Sequence, residues 1–115
     1  MANTLTRFYT GQPTTDFSTL YTVPAVSKII INDIVACNAT TVAAAALTLS
    51  LVPVAAGTTG VAGSSNAILF GSTFSINESK FITGSWILSS TGDTIQAKAT
   101  TSATITLFIS GMVVT

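Results

Sequence analysis

Two apolar runs, set either side of a short polar step, constrain this chain more than any other stretch. Residues 28–37 are rich in β-branched side chains, and residues 46–52 alternate Leu47, Leu49 and Leu51 with Thr48 and Ser50. Strict alternation marks a half-buried strand, because successive side chains of a strand point to opposite faces. The first run does not alternate cleanly, since Ile29, Ile30, Ile31, Ile34 and Val35 do not fit one face. It either carries a bulge or is apolar on both faces, and the second option needs a cover on its outer side. A helix is the competing reading for residues 42–49, where Ala and Leu are good helix formers. Thr41, Thr48 and Ser50 count against it.

The remaining pattern is one of short strands and turns. Residues 4–10 alternate weakly and meet Gly11, Gln12 and Pro13, which reads as a strand and then a turn, with residues 1–13 a candidate N-terminal arm. Residues 19–23 form a second strand, ended by Pro24, which pushes Val23 into an extended conformation. Residues 53–65 are Gly, Ala, Thr and Ser, a loop. Brief apolar runs follow at 67–70, 73–76, 80–83 and 86–88, separated by Gly71, by Asn77 with Glu78, and by Gly84. The SSTGD turn at 89–93 offers Gly92 for a positive φ and Asp93 for bonds to nearby backbone. Residues 94–99 and 103–114 alternate again, with Ile105, Leu107 and Ile109 on one face and Thr104, Thr106 and Ser110 on the other; Phe108 sits on the polar face. The expectation is a single all-β domain over residues 1–115, an antiparallel β-sandwich or jelly-roll-like fold of about eight strands.

Composition bears on what such a sandwich does. Only 7% of the 115 residues are charged, 48% are hydrophobic, and the formal net charge is zero. A typical soluble domain carries about 25% charged residues, so Thr, Ser and Ala must cover this surface. A surface of that kind is poorly protected against association and is often buried against partners. The longest apolar run, residues 42–56, is interrupted by Thr48, Ser50 and Pro53 and is shorter than the ~20 residues of a spanning helix. The first ten residues hold one Arg and no apolar core, so neither a signal peptide nor a membrane partner is expected. Cys37, the single cysteine, is expected to be a small buried hydrophobe.

The side chains that usually carry chemistry are scarce. With no His and one Cys, the usual general base, Ser-His and Cys-His pairs and a structural zinc site are excluded. Asp16, Asp33, Glu78 and Asp93 are dispersed in sequence and read as turn or solvent-facing residues. Gly57, Gly60 and Gly63 match neither phosphate-binding fingerprint, and Arg7, Lys28, Lys80 and Lys98 are too isolated to form a nucleic-acid patch. No cofactor, metal, catalytic residue or nucleic-acid partner is therefore expected, and the chain is read as not an enzyme. The sequons at Asn38 and Asn77 are taken as chance matches. Phe8, Tyr9, Phe17, Tyr21 and Trp86 are the candidate interface residues, as association anchors or a sugar-stacking platform; the alternative is that they fill the core.

Six segments then carry a family likeness: Leu20-Tyr-Thr-Val-Pro24, the Ile30/Ile34/Asn38 spacing, residues 47–53, Asn66-Ala-Ile-Leu69, Gly92-Asp-Thr-Ile-Gln-Ala-Lys-Ala99, and Ile109-Ser-Gly111. In this order they resemble small all-β virion structural proteins of tailed bacteriophages, found as head decoration or tail-associated components. The chain departs from its relatives after Pro24, where they tend to carry a Gly-Lys pair and it has Ala25, Val26 and Ser27. The resemblance implies a capsid decoration (cement) protein, made in the host cytoplasm and found in the virion. Such a protein forms homo-oligomers, a trimer being favoured, and docks on the major capsid protein or another virion protein to stabilise the shell. A tail-associated adaptor or a receptor- or glycan-binding tip is the alternative. The resemblance supplies no catalytic residues.

Overall fold

The computed structural model describes residues 3–40, 44–55, 60–101 and 104–115. They form strands β1 (Asn3–Gly11), β2 (Ser18–Thr22), β3 (Lys28–Asn38), β4 (Ala45–Val52), β5 (Ala67–Phe74), β6 (Ser79–Leu88), β7 (Thr94–Ala99) and β8 (Ile105–Val114). A single 3-10 turn, Ser64–Asn66, precedes β5, and the described residues contain no α-helix. Leu47 and Leu49 of the alternating run lie in β4, so the strand reading prevails there. The four brief runs after residue 66 merge into two strands, β5 continuing through Gly71 and β6 through Gly84. Thr41, Val42, Gly57 and Ala103, which entered the sequence reading, lie outside the described residues.

Two antiparallel four-stranded sheets, ordered β1-β8-β3-β6 and β2-β7-β4-β5, make the sandwich. The pairs β1/β8, β2/β7, β3/β6 and β4/β5 are those of one long hairpin folded over on itself, its tip at the β4–β5 link. Pairing of β3 with β8 and of β4 with β7 then closes each sheet. This is the jelly-roll arrangement of two nested Greek keys.

The isoleucine-rich run is a bulged strand. Its register slips between Ile31 and Asp33 against both neighbours: Asn32 is the extra residue against β8, while against β6 it faces two residues, Gly84 and Ser85. Side-chain alternation has a period of two, so one inserted residue exchanges the faces. Ile29 and Ile31 point inward before the bulge and Ile34, Ala36 and Asn38 after it, while Asp33 stays outside. Opposite them, Leu47 and Leu49 pair with Ala99 and Ala97, a large-to-small complement that fills the second sheet's inner face. Each fully buried Leu or Ile contributes about 1.5–3 kcal/mol relative to exposure. Burying these rows accounts for the strand pairing better than propensity does.

Polar residues fasten both ends of the sandwich. Fully buried Asn38 donates from Nδ2 to the Phe74 carbonyl (3.2 Å), and its Oδ1 accepts from the Thr40 amide and hydroxyl. At the other end, Asp93 accepts from the amides of Val54 (2.8 Å) and Ser90 (3.1 Å), and its carbonyl accepts from Val23 N–H. Asp93 thus joins three loops, and Gly92 beside it has φ 95°. The burial of Asn38 also keeps its sequon out of reach on the folded chain.

The turn between β2 and β3 holds Val26 at φ 57° with its side chain exposed. A β-branched residue in left-handed backbone is strained, and glycine is the residue that adopts it without cost. Val26→Gly is expected to raise stability by about 1 kcal/mol, strain relief outweighing the larger entropy of glycine in the unfolded chain. The corresponding rise in Tm is about 4 °C. A lower Tm in a melting experiment would contradict this conformation.

Candidate functional site: an uncovered sheet face

The two outer faces of the sandwich differ. On the β2-β7-β4-β5 sheet the outward residues of the central strands are mostly polar, with Thr48 opposite Lys98, Ser50 opposite Gln96 and Val52 opposite Thr94, while Phe70 is exposed on the edge strand β5. The chain after β4 folds back over part of this face, where Gln96 Nε2 donates to the Gly60 carbonyl (3.3 Å). A Cβ at Gly60 would collide with the Pro53 carbonyl and the Val52 side chain, so glycine permits the close pass. Asn66 pins the far end of the loop by donating to the Val61 carbonyl and accepting from Gly63 N–H, each at 3.0 Å. Thr48, Ser50, Thr94 and Gln96 are buried as a result. Among the described residues, the Ser50 hydroxyl has no hydrogen-bond partner.

The β1-β8-β3-β6 sheet has no such cover among the described residues, although its outer face is the more apolar. Register places Leu5, Met112, Ile30 and Ile87 in one cross-strand row and Thr10, Phe108, Val35 and Phe81 in another. Leu5, Phe81, Ile87 and Phe108 are 81%, 74%, 64% and 43% exposed. Between these rows runs a polar one of Arg7, Ser110, Asp33 and Thr83. Arg7 and Asp33 form no ion pair with described residues. A depression of about 350 Å³ opens in this row, lined by Leu5, Arg7, Asn32, Asp33, Ser110 and Gly111. Its floor is Gly111, where a Cβ would overlap the Ile30 carbonyl.

The five sequence-predicted interface residues lie elsewhere. Phe8 is a core residue at 6% exposure, turned inward by a bulge between Arg7 and Tyr9, so an anchoring role does not fit it. The same pairing makes Asn3–Gly11 an integral edge strand rather than a free arm. Tyr9 and Tyr21 are half-buried against the core, and the Phe8 and Tyr21 rings meet at 4.8 Å and 57°. Trp86 also packs on the core, over Gly84, and half-buried Phe17 lies under Lys98 Nζ at 4.8 Å from the ring centroid. The sequence signals for the outer face were Phe108 on a polar face and the two-sided apolar character of β3. Cys37 is half-buried.

The four acids do not converge. Glu78 Oε1 accepts from Ser75 N–H (2.7 Å) to close the β5–β6 turn, and Asp93 is held by its loops. No group of three or more His, Cys, Asp or Glu that could hold a metal occurs among the described residues. A second depression, of about 500 Å³, lies by Val26, Ser27, Lys28, Ser89, Thr91, Val114 and Thr115, with no Asp or Glu in its lining. No helix among the described residues is long and apolar enough to cross a membrane. No protein-family model, curated protein or solved structure matches the chain.

Burial raises the phenol pKa of Tyr9 and Tyr21 above its ordinary value of 10.0. A phenol held neutral in the folded chain stabilises it fully below pH about 10, and that contribution is lost as pH rises through the folded-state value. Thermal stability is expected to fall above pH about 10 and to fall less steeply in a Tyr9→Phe, Tyr21→Phe double variant. An identical alkaline slope in melting curves of both proteins would show that packing does not hold these phenols.

Proposed function

We propose that the chain is a non-catalytic structural protein of a tailed-phage virion, a decoration protein that forms homo-oligomers and docks on the capsid to stabilise it. The observation that carries this reading is the uncovered apolar face of the β1-β8-β3-β6 sheet. Exposed apolar surface organised in rows is the mark of an association site, whereas singly exposed apolar residues are ordinary. The near absence of charge fits a surface meant to be buried, and the phage-like segments from Leu20 to Gly111 supply the virion context. No nucleic-acid, membrane or cofactor role is proposed. A tail-tip position is the second reading, favoured by the depression whose Arg7, Asn32 and Asp33 offer a sugar both donors and acceptors.

Heating virions with and without this protein tests the first reading. Genome release is expected at a higher temperature when the protein is bound, with little change at high salt because few charges take part. Equal release temperatures would overturn the decoration role. A defect confined to host adsorption would favour the tail.

A further inference from the structure

We propose that the outer face of the β1-β8-β3-β6 sheet pairs with the same face of a second copy, across a two-fold axis running along the strands between β8 and β3. The inference deepens the homo-oligomer part of the proposed function, and it is independent of which virion surface the protein meets.

The edges of the sandwich are built against strand addition. β1 bulges between Arg7 and Tyr9, β2 has five residues and a register slip at Thr19/Tyr21, and β5 slips twice and carries Gly71 at φ 59°. β6, the longest edge strand, carries Lys80 at an inward register position opposite Ala36. The Lys80 Nζ reaches across to Ser72 Oγ and the Thr73 carbonyl, both at 2.8 Å, and lies 4.5 Å from the Phe74 ring centroid. Bulges, short strands and inward charges are the devices that block edge-to-edge association. One sheet face lies partly under the chain's own loop, which leaves the other for contact.

That face is self-complementary under one of the two in-plane two-folds. With the axis along the strands between β8 and β3, β1 lies over β6 of the second copy and β8 over β3. Leu5 then meets Ile87, Met112 meets Ile30, and Phe108 meets Val35. Each Asp33 faces a Ser110, and each Arg7 stands one strand spacing, about 4.8 Å, to the side of the other copy's Asp33. An axis across the strands instead sets Arg7 over Arg7 and Asp33 over Asp33. Charge therefore selects the first arrangement. Four strands about 4.8 Å apart and some nine residues along give a face of roughly 500 Å² per copy, or about 1,000 Å² in total. That is the lower bound for a specific contact and puts the pairing among the weak ones, so the test is set for a Kd on the order of 10 µM. Water in the polar row and its depression is compatible with such a contact.

Sedimentation equilibrium of the full chain, with Arg7→Asp, Asp33→Arg, the double swap and Ile87→Lys, tests the proposal. All three positions are exposed, and circular dichroism melts check that each variant folds. The wild type is expected to approach twice its 11.7 kDa mass at about 100 µM, with roughly four-fifths of the chains paired. Each single charge variant should weaken pairing at least about tenfold by setting like charges together, the double swap should restore it, and Ile87→Lys should abolish it. A monomer at that concentration, a trimer mass, or a double swap no better than the singles would overturn the proposal. Because the isolated chain is used, loss of shell binding alone leaves the result unaffected.

Discussion

A single inserted residue in β3 fixes the rest of the molecule. β3 is central to its sheet, paired with β8 on one side and β6 on the other, and both pairings slip at the same place. Without the bulge at Asn32, continued alternation would turn Asp33 inward and Ile34 and Ala36 outward. An unpaired carboxylate in that layer costs several kcal/mol, whereas each displaced apolar side chain forfeits about 1–3 kcal/mol. The bulge lets one strand supply an apolar inner face along its whole length. Its other consequence is an apolar outer face, because Ile30 and Val35 remain on the outside, where neighbouring strands add Met112, Phe108, Phe81 and Ile87.

The jelly roll then separates two tasks. Its ends are held by buried polar residues bonded to backbone: Asn38 at the end bearing the β5–β6 turn, and Asp93 at the end where the β2–β3, β4–β5 and β6–β7 connections meet. Hydrogen bonds of this kind contribute about 1 kcal/mol each when made, and leaving a buried group unmade costs more. Loops held this way need no disulfide. Of the two outer faces, the more polar one lies partly under the loop through Gly60, and the more apolar one has no cover among the described residues. Water would ordinarily favour the reverse. That inversion is the physical basis for reading the protein as one that works by burying surface.

Much of the fold was legible because the apolar residues keep a period of two. Leu47 and Leu49, and Ile105, Leu107 and Ile109, reach the core as their alternation requires, and the SSTGD turn uses Gly92 and Asp93 in the expected roles. β3 was legible only as a choice between a bulge and two apolar faces; the structure has the bulge and leaves an apolar outer face as well. Which large apolar side chains lie on the outer face was not legible, because aromatic side chains serve cores and surfaces equally well. Phe8 shows why: whether it turns inward depends on a bulge in β1 that no local residue announces. Phe81 and Ile87 share a face by the alternation of β6, but that this face is the outer one depends on pairing with β3 across more than forty residues of chain, which periodicity along one strand does not encode.

The claim that association takes place on this one face is tested most directly by hydroxyl-radical footprinting of the chain over a concentration series. Leu5, Phe81, Ile87, Phe108 and Met112 are expected to lose reactivity together as concentration rises, while Phe70, exposed on β5 in the other sheet, keeps its own. Protection of Phe70 with continued reactivity at Phe81 and Ile87 would contradict the account, and so would reactivity at every position that does not change with concentration.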